Sequence, residues 1–513
     1  MSADLGTTPL DAGRTAALSW PVAAQLRPAL EPVLATAAMI LCGTLILSWA
    51  ALFNGAPLVF ADTAAYATDA LAHEISGLFS VFYTYLILPL HRGISLWPVV
   101  FAQAAIVTHL LYLTARCVSG GAIGRRETLA IIAALSIVSS LPWVTGEVMP
   151  DVFSAILLLT VFLSAFCISE LAVWESLYVA TLTAIAITTH FSHVPIAAGL
   201  ILLAFFMRLV LVGDRAPLRW MAALVIVPFI AAVSCMVTVN WLDTGKVGLA
   251  RNTNVFFLAK LIDEGPALWY LQDACPDAGY ELCAQLAALP GLTQDDLKWA
   301  PDSPFTKIGS FDDVEPEAKL IVAATLTAYP LAILKGALLD TGRQLLHAAT
   351  GDGLSADFAQ IVADSVQLVY ADGAQVADSL LQSRQGKGEL PLQQFRSLHY
   401  GFLGIALGFV AWALLARRKR LPGKLVLFAA FVGAGLLVNA AVTGGLSGPY
   451  DRYFARVVWL IGFVALLTLG SVAKAEHWRA ALAPALGRLL RPKPAGSHAS
   501  ARSGAGTSLQ SAD

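Results

Sequence analysis

The chain has 513 residues, a formal net charge of −2, 57% hydrophobic residues and only 13% charged residues. Soluble domains normally carry about 25% charged residues, so this composition excludes an ordinary soluble protein and predicts a membrane protein. A net charge so close to zero also gives no reason to expect a nucleic-acid partner.

Ten apolar stretches separate the charged loops. Each is about long enough for a helix to cross roughly 30 Å of hydrocarbon. Backbone polar groups in lipid must be satisfied within the segment, so such spans are helices. We therefore predict an all-α polytopic membrane protein with about ten transmembrane helices, at 33–53, 97–116, 128–146, 151–169, 174–189, 194–212, 220–241, 400–416, 425–443 and 455–473.

The basic residues of the short loops predict the orientation. Cytoplasmic loops of membrane proteins are enriched in Lys and Arg. The loop 170–175 is weak evidence, because its charged residues are Glu170 and Glu175. We predict a bacterial inner-membrane protein with both termini in the cytoplasm, because Lys and Arg cluster at 116–127, 208–219, 417–424 and beyond 474.

This orientation also predicts the domain organisation. The segment 242–399 has 11 Lys and Arg against 20 Asp and Glu, which is compatible with export. Two apolar stretches, Leu78–Leu90 and Leu320–Leu339, are predicted to lie in the outer interface or to be re-entrant, because a crossing by either would reverse every later basic loop. The regions are a cytoplasmic segment 1–32, a transmembrane module 33–241 with outer loop 54–96, a periplasmic or interfacial domain 242–399, a transmembrane module 400–473 and a mostly disordered cytoplasmic tail 474–513.

The six cysteines fall into two groups. Cys275 and Cys283 both lie in the exported segment, where an oxidising periplasm permits a local disulfide. The alternative is two free thiols, and a zinc site would need more nearby ligands. The remaining four are expected to be inert apolar residues in or beside the spans: Cys42, Cys117, Cys167 and Cys235.

The first outer loop contains the candidate base. Asp62 precedes Tyr66 by four residues, so the two share a face of a helix. A partly desolvated carboxylate beside an aromatic ring can act as a general base. Asp62 is equally suited to cap a helix that begins at Thr63, and both roles can hold together.

The second outer loop places two more carboxylates on the same side. Pro150 suits the first turn of the following helix, and the helix dipole favours Asp151 there. Ionisable residues at membrane depth are costly and mark a pathway or a site. We therefore expect Glu147 and Asp151 to join Asp62, and either to bind a cation or to divide base and orienting roles.

Two further outer loops contain groups suited to phosphate. His190 and His193 lie at the tip of a predicted helical hairpin, where they can bind phosphate or cap the turn. Arg452 lies at the start of the last span, on the side that lacks basic residues. A guanidinium binds phosphate or carboxylate through paired hydrogen bonds, and the alternative partner of Arg452 is an outer carboxylate. Tyr453 also fits an interfacial aromatic belt.

These loops together resemble those of the GT-C glycosyltransferases, polytopic enzymes that use polyprenyl-phosphate-linked sugars and include the protein O-mannosyltransferases and the lipid A aminoarabinose transferases. The similarity covers most of residues 33–473. The first acidic motif has one Asp rather than a pair, which puts metal dependence in doubt. The motifs are Asp62-Thr-Ala-Ala-Tyr66, Phe82-Tyr-Thr-Tyr-Leu-Ile-Leu-Pro-Leu-His91-Arg92, Glu147-Val-Met-Pro-Asp151, Ala328-Tyr-Pro330 and Arg452-Tyr453.

The resemblance implies a GT-C-like fold and a hexosyl or pentosyl transferase with a periplasmic active face. The donor would be a polyprenyl-phosphate sugar, and the acceptor an envelope glycan, lipid or protein. No cofactor is implied, and a divalent cation is left open. The alternatives are a transporter of lipid-linked saccharides and a non-catalytic envelope assembly protein. The implied roles are base for Asp62, acceptor orientation or cation binding for Glu147, Asp151 and Tyr66, and donor-phosphate binding for Arg452, Tyr453, His190 and His193.

Overall fold

The computed structural model describes residues 20–74, 77–212, 218–275 and 277–489, which form one compact unit up to Ser471 and a second one from Val472. The first 19 residues, the loop residue Arg215 and the tail from Pro492 lie outside the described residues. Within them the fold is all-helical, and the only β pairing is one parallel bridge between Leu58 and Glu147.

The first half of the described chain contains twelve α-helices. A π-helical turn extends α10, and another precedes α12. The bounds are α1 Trp20–Leu47, α2 Trp49–Asn54, α3 Thr63–Ala72, α4 Val81–His91, α5 Trp97–Val118, α6 Arg125–Val138, α7 Leu141–Gly146, α8 Val152–Phe166, α9 Val173–Thr188, α10 His193–Met207, α11 Leu218–Met221 and α12 Val227–Thr244.

The second half begins with several shorter helices and ends with three long ones. Short 3-10 helices lie at Ile168–Glu170, Glu281–Ala288 and Arg418–Arg420. The α-helical bounds are α13 Thr253–Asp263, α14 Pro266–Ala274, α15 Gln294–Trp299, α16 Pro304–Ile308, α17 Phe311–Ala328, α18 Pro330–Gln344, α19 Ala356–Val369, α20 Gly373–Leu381, α21 Leu392–Ala416, α22 Gly423–Leu446 and α23 Asp451–Leu489.

Six helical segments of the described chain are long and apolar enough to cross a membrane, which fits the predicted polytopic membrane protein. They are Trp97–Val118, His193–Leu211, Ala222–Thr244, Leu392–Ala416, Gly423–Leu446 and Asp451–Ala473. The predicted number of ten spans is not confirmed. Three of the other predicted spans fall on the shorter apolar helices Glu31–Leu47, Val152–Phe166 and Val173–Thr188, and the fourth is divided between α6 and α7.

The two stretches predicted to be interfacial both form helices. The first becomes α4, which has only 11 residues. The second is bent by 98° between α17 and α18, so it is either a broken span or a re-entrant loop. Pro330 causes the bend, because proline disfavours helical backbone in the residue before it, and Tyr329 has φ −128° and ψ 45°.

Ion pairs between loops define one end of the helix bundle, which we call the basic end and which comprises the loops 119–124, 167–172 and 417–422. Here Arg116 contacts Glu175 at 2.6 Å, and Lys424 forms an ion pair with Glu170. α5 and α8 end at this surface, and α9 and α22 begin there. The acidic loop 170–175 therefore lies with the basic loops because its carboxylates pair with their cations.

The hydrophobic residues form two main cores. The larger core unites the long helices with α19 and α20, through residues such as Val362 and Val366. The smaller one lies within residues 255–322, and the Cys275–Cys283 disulfide closes a loop beside it. The predicted domain 242–399 is thus divided between two cores.

Candidate functional site

Backbone pairing brings the first outer loop against the loop that precedes α8. The Leu58 amide donates to the Gly146 carbonyl at 3.0 Å, and the Val148 amide donates to the Leu58 carbonyl at 2.9 Å. The Thr63 hydroxyl adds a bond to the Val148 carbonyl at 3.0 Å. Asp62, the residue before α3, is therefore held beside the start of α8.

A buried glutamine in α5 forms hydrogen bonds to the backbone of the loop that precedes α8. Gln103 Nε2 donates to the carbonyl oxygens of Glu147 at 2.8 Å and Thr145 at 3.3 Å. Its Oε1 accepts from the Tyr83 hydroxyl at 2.8 Å. Because all three contacts are buried, the loop backbone has little freedom to shift.

A second glutamine, from the loop after α20, holds the first outer loop on its other side. The Val59 amide donates to Gln385 Oε1 at 3.1 Å, and Gln385 Nε2 donates to the Val59 carbonyl at 2.6 Å. Its backbone amide donates to Asn54 Oδ1 at 2.7 Å. The side chain thus pairs with the loop as a neighbouring strand would.

The side chain of Asp62 pairs with Arg452. It makes no capping hydrogen bond to α3. Instead, Asp62 Oδ2 lies 3.6 Å from Arg452 Nη1, with 23% of the Asp62 side chain and 15% of the Arg452 side chain exposed. Arg452 Nη1 is buried and makes no hydrogen bond. The pair is therefore loose, and the guanidinium keeps unused donor capacity.

A tighter ion pair lies deeper in the same cluster. Asp151 Oδ1 accepts from Arg456 Nη1 at 3.1 Å, and both side chains are at most 4% exposed. Asp151 also makes no capping bond to its own helix, α8. Asn439 Oδ1 lies 3.5 Å from Arg456 Nη2. Separating these two side chains would leave an uncompensated buried charge, which is strongly unfavourable. The ion pair therefore holds the start of α23 against the start of α8.

Glu147 is a buried acid in the same cluster. Its side chain is 7% exposed, and its Oε1 has no hydrogen-bond partner. Burial raises the pKa of this carboxyl well above its ordinary value, and the charge of Asp151 raises it further. The neutral form of Glu147 is therefore favoured, and this form can donate a hydrogen bond.

The environments of Asp62 and Asp151 push their pKa values in opposite directions. Burial raises the pKa of Asp62 and outweighs the nearby Arg452 cation. Burial also acts to raise the pKa of Asp151, but Arg452 and Arg456 together hold it below its ordinary value. Neighbouring acids separated in this way are suited to different roles: Asp62 is the stronger base, and Asp151 stays ionised.

His193 does not have the free nitrogen that phosphate binding would need. It is fully buried, with Nδ1 2.7 Å from the Ala186 carbonyl and Nε2 2.8 Å from the Ser154 hydroxyl. A carbonyl only accepts, so Nδ1 carries the proton and Nε2 accepts from Ser154. The predicted donor-phosphate role is therefore corrected: His193 joins α10 to α8 and α9.

His190 keeps one nitrogen for other contacts. Its Nδ1 accepts from the Ser192 amide at 3.1 Å, so the proton of the neutral ring lies on Nε2. Burial lowers the pKa of His190 to about 3. The ring is thus neutral at physiological pH and can contact phosphate only as a neutral donor.

Both candidate tyrosines shape the site through their rings. Tyr66 is 1% exposed, and its ring packs on Tyr83 with centroids 4.9 Å apart. The Tyr453 ring lies 5.2 Å from the guanidinium carbons of both Arg452 and Arg456. The cation–π geometry of Tyr453 orients the two arginines.

Two charged residues of the cluster were not assigned to the site from the sequence. The sequence does give a signal for Arg456, because it follows Arg452 by four residues and so lies on the same helix face. Asp352 had no such signal. It lies in the loop between α18 and α19, and its Oδ2 accepts from the Arg452 amide at 3.0 Å. Only the tertiary fold brings it to the start of α23.

The described carboxylates of the cluster do not form a compact metal cage. In the described part of the chain, one group of three possible ligands has all its atoms within 4.8 Å of one another, and it consists of Cys117, Cys167 and Glu170 at the basic end. Asp62 and Asp151 pair with guanidinium groups instead.

Comparison of the chain with known protein families, curated proteins and solved structures finds no match. The resemblance to GT-C enzymes therefore depends on the sequence motifs alone.

Proposed function

We propose that this protein is an integral-membrane glycosyltransferase that moves a sugar from a polyprenyl-phosphate donor to an envelope glycan, lipid or protein. The reaction takes place at the charged cluster, on the periplasmic face of a bacterial inner membrane. One observation carries the proposal: Asp62, Glu147, Asp151, Arg452 and Arg456, from three segments distant in sequence, converge on one largely buried cluster.

The loose contact of Arg452 suggests how a donor would bind. A phosphate carries more charge and more acceptor atoms than a carboxylate, so it competes well for a guanidinium. Binding of the donor phosphate to Arg452 would separate it from Asp62, whose contact distance is 3.6 Å. The same event fixes the leaving group and frees the base.

The transfer step then follows from the positions of these groups. Asp62 accepts the proton of an acceptor hydroxyl or amine, and the acceptor atom bonds to the anomeric carbon. The bond between that carbon and the phosphate oxygen breaks, and the polyprenyl phosphate leaves as an anion held by Arg452. Preorganised charge facing the developing anion is the largest contribution in such sites.

The other cluster residues keep this arrangement in place. Asp151 and Arg456 hold α8 against α23 through a pair at 3.1 Å, so Arg452 and the loop of Glu147 stay in register. Glu147, whose neutral form is favoured by burial, donates a hydrogen bond to the acceptor or to a phosphate oxygen. His190 offers a second neutral donor from the end of α9.

The topology belongs to the same proposal. The six long apolar helices account for six crossings. Four shorter units packed among them would complete the ten crossings if each connects the two ends of the bundle: α1 with α2, α6 with α7, α8, and α9. Asp151 at the start of α8 and Cys167 after its end support this, because they lie about 24 Å apart at ~1.5 Å per residue. The basic end then faces the cytoplasm.

Glycan and lipid mass spectrometry of cells tests the proposal. A deletion strain and strains with Asp62→Asn or Arg452→Lys should lose one envelope sugar and accumulate the polyprenyl-phosphate sugar that donates it. The matched controls are Asp378→Asn and Arg418→Lys, both at exposed positions away from the cluster.

The outcomes also separate the alternatives. Unchanged glycans in the Asp62→Asn and Arg452→Lys strains, with altered glycans in the deletion strain, would identify a non-catalytic assembly protein. Normal sugar transfer in a detergent extract of the Asp62→Asn strain, with a defect only in its intact membranes, would identify a transporter.

A further inference from the structure

The basic end contains two cysteines that the sequence pattern treats as inert. Cys117 lies in the last turn of α5, and Cys167 follows the last residue of α8. Their sulfur atoms are joined in a disulfide across 50 residues of sequence. Both residues are at most 1% exposed. The bond therefore links the end of α5, the helix that contains Gln103, to the end of α8, the helix that follows Asp151.

The surroundings of this pair differ from those of an ordinary structural disulfide. Glu170 Oε2 lies 4.0 Å from Cys117 Sγ. A disulfide sulfur has no proton to donate, so this contact becomes a hydrogen bond only when Cys117 is a thiol. Arg116, one residue away, donates to the Glu170 carbonyl at 3.2 Å. The site can thus stabilise the reduced form as well as the oxidised one.

The compartment decides which form is stable. Disulfides persist in oxidising compartments, and cytosolic thiols are kept reduced. Arg116, Lys424 and the basic loops place this end in the cytoplasm under the orientation of the proposed function, on which this inference rests. In a reducing compartment, a cysteine pair within bonding distance exists as a dithiol that an added disulfide can convert to the linked form by thiol–disulfide exchange.

We propose that Cys117 and Cys167 form a reversible redox site: a dithiol in the resting cell that low-molecular-weight disulfides convert to the disulfide joining α5 and α8. Because both cysteines are buried, the first step requires a local opening of the basic end. One cysteine thiolate then attacks a sulfur of the small disulfide, forming a mixed disulfide and releasing one small thiol. In the second, the other thiolate attacks the protein sulfur, closes the Cys117–Cys167 bond and releases the second small thiol. The two cysteine protons end on the two released thiols.

The same chain contains an internal reference. Cys275 and Cys283 form a disulfide beside the smaller core, in the segment proposed to lie outside. The two pairs should therefore differ in oxidation state within one protein molecule. Cys42 and Cys235 are unpaired, and replacing both by Ser removes them from the assay without touching either pair.

Alkylation of acid-quenched cells, followed by peptide mass spectrometry, tests the proposal on the full chain. In untreated cells most Cys117 and Cys167 should be alkylated, and Cys275 and Cys283 should be linked. A short exposure to dipyridyl disulfide should shift most of the Cys117 and Cys167 to the linked form. Removal of the oxidant should restore alkylation, and Cys117→Ser should abolish the linked peptide.

Two results would overturn the proposal. If Cys117 and Cys167 are linked in untreated cells and stay so, the bond is a permanent structural disulfide and the basic end faces an oxidising compartment. If they remain alkylated after the oxidant, they do not pair. Neither result depends on catalysis, since the Asp62→Asn strain reports separately on transfer.

Discussion

Asp62 and Asp151 lie at the starts of two helices, yet neither side chain caps its own helix. Each turns to an arginine of α23. Asp62 lies 3.6 Å from Arg452, and both side chains are partly exposed. Asp151 lies 3.1 Å from Arg456, and both side chains are almost completely buried. The first pair can exchange partners, and the second holds the fold.

The raised pKa of Asp62 predicts the acidic limb of the pH–rate profile. The base must be ionised to work, so transfer should fall as pH drops through a pKa above that of an ordinary aspartate. Arg452 lowers this pKa, so Arg452→Gln should move the limb to higher pH and also reduce the rate. Initial rates in detergent at a series of pH values measure both effects. A limb that stays in place in Arg452→Gln would show that the two groups do not interact.

The two buried acids near Arg456 should differ sharply in their effect on stability. Asp151→Asn leaves Arg456 buried without a counter-charge, which should cost about 3–5 kcal/mol. Burial favours the neutral form of Glu147, so Glu147→Gln should change the unfolding free energy little. Thermal unfolding in detergent compares the two with Asp378→Asn as the control. Equal destabilisation by both substitutions would contradict the assigned charge states.

The sequence could predict part of this site and not the rest. Sidedness alone placed Asp62, Asp151 and Arg452 in one region, because few charges lie at that surface. The sequence could not show that His193 is buried and joins three helices, because its hydrogen-bond partners Ser154 and Ala186 lie in other helices. Gln385 had no signal at all, because its role depends on a loop more than 320 residues away.

At the scale of helices, hydropathy located the apolar segments but not their breaks. The predicted span 128–146 is interrupted at Ser139 and Ser140. Pro142 has no amide to donate to the Val138 carbonyl, so one helix cannot continue through this point. The α17–α18 bend has the same origin in Pro330. The apolar content of a segment indicates that its side chains are buried in the protein core or in lipid. It does not indicate where the helix ends, which at these two places depends on proline.

A buried lysine fixes the bent helix pair to its neighbours. Lys260 Nζ, in α13, lies 2.8 Å from Asp340 in α18 and 3.2 Å from the Gly444 carbonyl in α22. Arg343 contacts the same carboxylate at 2.9 Å, but its side chain is 65% exposed. The buried contact should therefore dominate the position of α18.

Substitution of these two cations tests that order. Lys260→Met should destabilise the protein by about 3 kcal/mol, the lower end for a broken buried pair because Arg343 remains. Arg343→Met removes an exposed pair and should cost less than about 1 kcal/mol. Thermal unfolding in detergent gives both values. A larger loss of unfolding free energy in Arg343→Met than in Lys260→Met would show that the buried Lys260–Asp340 contact does not dominate the position of α18.

At the scale of the whole molecule, the described charges divide between the two ends of the bundle. Guanidinium and carboxylate groups at the candidate site are largely buried, and the basic end exposes residues such as Arg418 and Lys419. The ion pairs of Glu170 and Glu175 explain why one loop departs from the sequence trend. The orientation of these ends in the membrane stays a prediction.

Thiol labelling in intact cells measures that orientation. In a background with Cys42 and Cys235 replaced by Ser, Asp378→Cys should react with an impermeant maleimide from outside. Arg418→Cys should react only after the cells are lysed. The opposite pattern would place the candidate site in the cytoplasm, where polyprenyl-phosphate donors of this orientation could not reach it.

The central claim is that Asp62 and Arg452 transfer a sugar from a lipid phosphate, and one reconstituted reaction tests it most directly. Purified protein is mixed in liposomes with polyprenyl-phosphate sugars and acceptor extracted from the deletion strain, and free polyprenyl phosphate is measured by mass spectrometry. We expect wild-type protein to release it in step with sugar transfer, and Asp62→Asn to release almost none. Equal release by the two proteins, or none by the wild type, would contradict the account.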